Sequence, residues 1–200
     1  MSVATQTDLA SSSVRYRIAT SIVRPPGSSS DIQHHPSSFP VYQTATFHLN
    51  PLDSHSSAFD YTRSGNPTRS HVQHHLTHII PGATNTFLVG SGMAALDMVL
   101  RLIPAGSEVV AGEDLYGGTN RLLNYIQEMN HIKVHFLDLT HPMDTLIPIL
   151  NERTKMVIME SPSNPLLKIT PIKQIVDIVK GFNKECLVCG DNTMMTPILY

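Results

Sequence analysis

Two hundred residues, 41% of them hydrophobic and 15% charged, carry enough apolar material for one folded core of ordinary domain size. A formal net charge of −2 supplies no broad basic field, which argues against nucleic acid or anionic membrane as the main partner and points to a small molecule. Two cysteines and no long apolar run leave neither a disulfide framework nor a membrane span, so the expected setting is a reducing interior, the cytosol.

The opening residues, Met1 to Ser13, are rich in Ser and Thr with Asp8 as their formal charge. They read as a tail rather than a transit peptide, because Arg15, Arg17 and Arg24 come late. From Ser21 to Pro40, prolines and a glycine interrupt any helix, and the expectation is an extended arm reaching to about residue 60. His71, His74, His75 and His78 then fall at i, i+3, i+4 and i+7, one imidazole stripe on a helix. Two readings suit it: a polar surface face, or a site for Zn2+ or Ni2+. The first is preferred, since adjacent turns seldom aim four imidazoles at one ion and no carboxylate or cysteine lies nearby.

Beyond Pro81, short apolar runs alternate with segments of helical period, which predicts an α/β fold with a mostly parallel sheet and helices on both faces. The predicted strands are Thr86 to Val89, Glu108 to Ala111, Lys133 to Leu137, Lys155 to Met159 and Glu185 to Cys189. Between them, Ala95, Met98, Val99 and Leu102 share one helical face, as do Leu122, Ile126 and Met129, and Ile172, Ile175, Val176 and Val179. Cys186 and Cys189 form a C-x-x-C, but on a strand they point to opposite faces and read as packing rather than a redox pair.

In open α/β sheets ligands bind at the carboxyl ends of strands, so the residues following each strand matter most. Gly90-Ser91-Gly92-Met93 reads either as a phosphate cradle opening a helix or as a tight turn that needs glycine. Tyr116, between a strand end and the pair Gly117-Gly118, is a ring that stacks on a flat heterocycle or an ordinary loop tyrosine. Pro162 and Pro165 fix a loop that presents Asn164 as a donor. Asp191, closing what reads as a buried apolar strand, is either the partner of a cationic ring nitrogen or an N-cap on the following turn. Together these are complementary parts of a site for one aromatic phosphate.

The strings Tyr61-Thr62-Arg63-Ser64-Gly65-Asn66-Pro67-Thr68-Arg69, Ser91-Gly92-Met93-Ala94-Ala95, Asp114-Leu115-Tyr116-Gly117-Gly118-Thr119-Asn120-Arg121, Glu160-Ser161-Pro162-Ser163-Asn164-Pro165 and Asp191-Asn192-Thr193 stand in this order along the chain. In that order they resemble the Cys/Met-metabolism family of pyridoxal-phosphate enzymes, and within it the fungal β-lyases. The likeness runs from about Arg17 onward and includes Pro40 to Phe47. It implies pyridoxal-phosphate fold type I, the aspartate-aminotransferase-like architecture, with residues 61–200 as the first part of the large cofactor domain.

It also implies roles. The amides of Gly92 and Met93 hold the cofactor phosphate, and Tyr61 and Arg63 reach the phosphate of a neighbouring subunit's cofactor in a dimer, two of which build a homotetramer. Tyr116 stacks on the pyridine ring and takes part in proton transfer, Asn164 bonds the ring's 3-oxygen, and Asp191 pairs with the ring nitrogen. Thr193 completes the binding set. The implied reaction is β-elimination of cystathionine to homocysteine, pyruvate and ammonia; γ-lyase, γ-synthase and methionine γ-lyase chemistry are the alternatives within the family. Departures from the family pattern are mild at Val72, Gln73, Ser163 and Thr196. A larger one is that the family's covalent lysine follows the matching acid by roughly two dozen residues, so the 200 residues by themselves are expected to be inactive.

Overall fold

The computed structural model describes residues 17–23, 38–49 and 58–199. The predicted tail, Met1 to Ser13, lies outside them, as does most of the predicted arm. The chain divides into two compact units, Met1–Leu88 and Val89–Tyr200.

In the first unit, helix α1 spans Ile18–Val23, so the end of this helix occupies Ser21, where the extended arm was predicted to begin. Helix α2, Pro67–Ile79, starts where the sequence marks it. Asn66 is the N-cap with its side chain accepting from the Thr68 N–H at 2.8 Å, and Pro67 follows at a position whose missing N–H is of no consequence. The Tyr61–Arg69 string braces itself: the Arg69 guanidinium donates to the carbonyls of Thr62 (3.1 Å), Arg63 (3.3 Å) and Ser64 (3.0 Å). Asn66 Nδ2 also donates to Tyr42 O (3.1 Å) and Thr62 Oγ1 (2.7 Å), and an antiparallel bridge joins Thr46 to Tyr61. This pins the Pro40 to Phe47 segment onto the string.

Thr86 to Val89 is not a strand. Among the described residues nothing lies alongside it to complete a ladder, and Phe87 is 75% exposed. Its polar groups turn to α2 instead, with the Leu88 N–H on Gln73 Oε1 at 3.1 Å and the Thr86 hydroxyl 2.7 Å from that of Thr77.

The second unit alternates helix and strand: α3 Gly92–Leu100, β1 Glu108–Gly112, α4 Gly117–Asn130, β2 Lys133–Leu137, α5 Pro142–Thr145, β3 Thr154–Glu160, α6 Ile172–Phe182, β4 Leu187–Asp191 and α7 Thr196–Leu199. The four strands are parallel in the order β2-β1-β3-β4. Successive strand residues face opposite sides, and the two cores follow that rule. Val109, Ala111, Met156 and Ile158 pack with Leu100, Leu123 and Ile126 from α3 and α4, while Val110, Val157 and Met159 pack with Ile175 and Val179 of α6. Cys186 joins the second core and Cys189 packs against the first, so the two thiols do lie on opposite faces. None of the helices of the described residues is long and apolar enough to cross a membrane.

Two predicted features shift. Helix α3 turns Leu96, Val99 and Leu100 to the core and leaves Met98 42% exposed, with Leu102 beyond its end 65% exposed, because nearly all its residues are apolar and only the sheet chooses between adjacent stripes. Strand β4 begins two residues late, since a turn after α6 uses Glu185 and Cys186, whose N–H groups bond Asn183. Among the described residues it is an edge strand, partly exposed rather than buried.

Glu108, at the start of β1 and 3% exposed, is held by Asn151 Nδ2 (2.9 Å), His135 Nε2 (2.7 Å) and the Arg153 guanidinium (2.6 Å). The Asn151 and His135 bonds lead in holding its carboxyl down from the ordinary 4.5 to about 2. A carboxyl lowered by folding stabilises the fold fully above pH 4.5 and loses that contribution as pH falls toward 2. Glu108→Gln is expected to lower stability by about 2 kcal/mol at neutral pH and to flatten the loss between those two pH values, as read by urea unfolding across a pH series.

Candidate functional site

The chain leaves β1 toward β2 and returns to lay β3 on the other side of β1, which makes the carboxyl end between β1 and β3 a topological switch point. A cleft of about 350 Å3 opens there, and Gly92, Met93, Tyr116, Asn164, Asp191 and Thr193 all line it. Six predicted site residues from four separate strings therefore converge. Tyr61 and Arg63 belong to the other unit, both exposed, with the Arg63 guanidinium 3.3 Å from the Tyr61 hydroxyl and 5.3 Å from its ring centre.

The first wall is the start of α3. Ser91 caps it, its hydroxyl accepting from the Ala94 N–H at 3.2 Å, and its carbonyl takes the Ala95 N–H. Among the described residues neither the Gly92 nor the Met93 N–H has an acceptor, and a Cβ built on Gly92 would meet nothing within 4 Å. Two unsatisfied amides at the positive end of a helix in open space suit an anion.

The second wall follows β1. Tyr116 immediately precedes α4, and the pair Gly117-Gly118 opens the first turn of that helix. A Cβ on Gly118 would sit 2.5 Å from Tyr116 Cε1 and 2.9 Å from Met93 Sδ, so the tyrosine ring lies directly over the missing side chain. The third wall follows β3, where Ser161–Pro162 and Asn164–Pro165 are cis and Asn164 is exposed at the cleft.

Asp191 closes β4, half-buried rather than enclosed by apolar neighbours. Its Oδ1 accepts from the Thr193 N–H (3.0 Å) and hydroxyl (2.6 Å), which is the turn-capping role one sequence reading allowed. The other carboxylate oxygen has no hydrogen-bond donor among the described residues, so the acid is oriented by Thr193 and still has an oxygen to offer.

Sequence reasoning missed Glu160. It ends β3, is 6% exposed, and accepts the Tyr116 N–H on Oε2 at 2.7 Å. Burial pushes its carboxyl above the ordinary range, the Tyr116 bond opposes this, and the charges of Asp191 and Asp114 add to the rise. The signal was present: an acid ending the apolar run Met156-Val157-Ile158-Met159 invites the same question as Asp191. Among the described residues the cleft lining thus holds two carboxylates and no lysine, arginine or histidine.

The histidine stripe takes other neighbours. His71 stacks on Phe39 with ring centres 3.9 Å apart, and His75 Nε2 lies 2.9 Å from Ser21 O. No group of three or more metal-ligating side chains comes together among the described residues.

An α/β unit with a phosphate-ready helix start, a ring and an acid at one switch point defines a binder of a flat, phosphorylated heterocycle. Residues 19–200 match the family model for Cys/Met metabolism PLP-dependent enzymes, and the chain belongs to that family. It is 43% identical over 186 residues to a cystathionine beta-lyase of Neurospora crassa, covering 93% of this chain and 39% of the relative. A Schizosaccharomyces pombe cystathionine beta-lyase is 43% identical over 188 residues, 94% of this chain and 47% of its own. The chain thus spans less than half the length of these curated relatives. Among solved structures, cystathionine gamma synthase from Xanthomonas oryzae pv. oryzae in complex with cystathionine superposes with a TM-score of 0.83 at 31% identity, over 92% of this chain and 46% of that one. Cystathionine gamma-lyase from Lactobacillus plantarum complexed with L-serine gives 0.82 at 28%, over 91% and 46%. The architecture is pyridoxal-phosphate fold type I, and pyridoxal phosphate is the family's cofactor.

The residues present fit that group. Two amides without an acceptor among the described residues suit a phosphate, an acid with a free oxygen suits a protonated ring nitrogen, and the two carboxylates of the lining favour a cationic ring.

Proposed function

We propose that the protein acts as a carbon–sulfur lyase that cleaves L-cystathionine by β-elimination to homocysteine, pyruvate and ammonia. The observation that carries this reading is the convergence of Gly92, Met93, Tyr116, Asn164, Asp191 and Thr193 on one cleft, in a chain whose 43%-identical relatives bear the β-lyase name. When bound, pyridoxal phosphate supplies an electron-accepting ring that eases removal of the Cα proton. Gly92 and Met93 bind the phosphate through their amides, Tyr116 covers a ring face, and Asn164 donates to the 3-oxygen. Asp191, oriented by Thr193, holds the proton on the ring nitrogen.

Without a cation in the cleft lining, a phosphate dianion needs countercharge from elsewhere, which supports a role for Tyr61 and Arg63 of a neighbouring subunit and hence a dimer, paired into a tetramer. In this reading residues 1–60 form an arm and residues 61–200 the first part of the large domain. The free thiols of Cys186 and Cys189 suit a reducing compartment such as the cytosol. Among the described residues no lysine lines the cleft, and the 200 residues alone are expected to release no pyruvate.

The full-length protein incubated with L-cystathionine should release pyruvate, homocysteine and ammonia in equal amounts. Cysteine with 2-oxobutyrate would mark γ-elimination instead, the second reading, which the likeness to a γ-lyase and a γ-synthase keeps open.

A further inference from the structure

Tyr116 and Asn164 are both exposed at the cleft, and among the described residues neither side chain makes a hydrogen bond of its own. Their positions are set through the loops that carry them. Those loops are joined by two acids working in opposite directions. Glu160, where β3 ends, accepts the N–H of Tyr116 on the β1 loop at 2.7 Å. Asp114, on the β1 loop, accepts from the Ser163 hydroxyl and from the Leu166 N–H (3.2 Å), both on the β3 loop.

Neither bond is incidental. Helix α4 has no side-chain cap at Tyr116, and Glu160 reaches across from the neighbouring strand to accept the N–H of Tyr116 itself. Ser163 Oγ also accepts the Lys168 N–H at 2.9 Å, closing the β3 loop on itself, and the Lys168 ammonium bridges Glu113 (2.8 Å) and Asp138 (3.3 Å). We propose that Glu160 and Asp114 are positioning residues that lock the Tyr116 ring and the Asn164 amide into one frame before a ligand arrives. The ligand assignment rests on the cofactor reading above; the brace is a property of the chain alone. Prepositioning of this kind strengthens binding by reducing the ordering required when ligand enters.

Amide hydrogen exchange at Tyr116 and Leu166, measured without ligand and paired with pyridoxal phosphate titration, tests it. Glu160→Ala should speed exchange at both amides by about tenfold or more, although only Tyr116 bonds Glu160. Glu160→Gln retains an acceptor oxygen and should return both to within about threefold of wild type. Asp114→Ala should do the same as Glu160→Ala, and the double variant should fall short of the product of the singles. Ser163→Ala is a milder variant should either alanine replacement of an acid unfold the protein, and it too should speed Tyr116 exchange while Val110 in β1 stays protected. Unchanged exchange at Leu166 in Glu160→Ala, or at Tyr116 in Ser163→Ala, would overturn the brace. Pyridoxal phosphate affinity should fall by about tenfold in the alanine variants. If it binds none of the proteins while the exchange coupling persists, the brace stands and the cofactor reading fails.

Discussion

In the full-length protein, Asp191→Ala is expected to lower pyruvate release from L-cystathionine by roughly a hundredfold or more, the scale on which removal of a preorganised partner of developing charge acts. Thr193 fixes Asp191 through two bonds to Oδ1, at 3.0 and 2.6 Å, so the acid does not have to reorganise to meet a ligand. Asp191→Asn separates charge from shape. Its amide oxygen can still accept from Thr193, so urea unfolding should match wild type while turnover falls about as far as in the alanine variant. Near-normal pyruvate release from the asparagine variant would refute the role assigned to the charge.

Gly118→Ala should produce an unusual pairing of effects. In a helix, alanine is favoured over glycine by about 1 kcal/mol, so stability should hold or rise. The added methyl, however, would lie 2.5 Å from Tyr116 Cε1 and 3.1 Å from Cδ1. Tyr116 is 47% exposed and has room to swing away, whereas the helix backbone does not. The ring should therefore leave the cleft and pyridoxal phosphate affinity should drop about tenfold, the upper end of what one stacked ring contributes. Spectrophotometric titration beside thermal unfolding would show it; unchanged affinity would mean that Tyr116 is not the stacking residue.

Strands β1 and β3 were legible because a buried parallel strand is a short run of apolar residues, and Val109, Val110, Met156 and Val157 have no other use. The start of α2 was also legible, since Asn66-Pro67 is local chemistry. Failures came where a second element decides. Thr86 to Val89 carries strand-forming residues without a paired neighbour among the described residues, and the core stripe of α3 is chosen by the sheet. Glu160 escaped notice because the backbone N–H it accepts lies 44 positions away.

What the sequence by itself determined is the kit of parts: the strand periods, the small residues opening α3, the ring before Gly117, the acid before Thr193, and an order of motifs specific enough to identify a family. What only the tertiary structure decided is which of these parts meet. The parallel order β2-β1-β3-β4 brings the ends of β1, β3 and β4 to one edge, where Glu160 and Asp191 stand side by side in register. Residue types and spacing along one chain follow from local sterics and hydrogen bonding, which a sequence carries directly. Adjacency of strand ends depends on crossovers tens of residues long, and those are settled only when both faces of the sheet are covered.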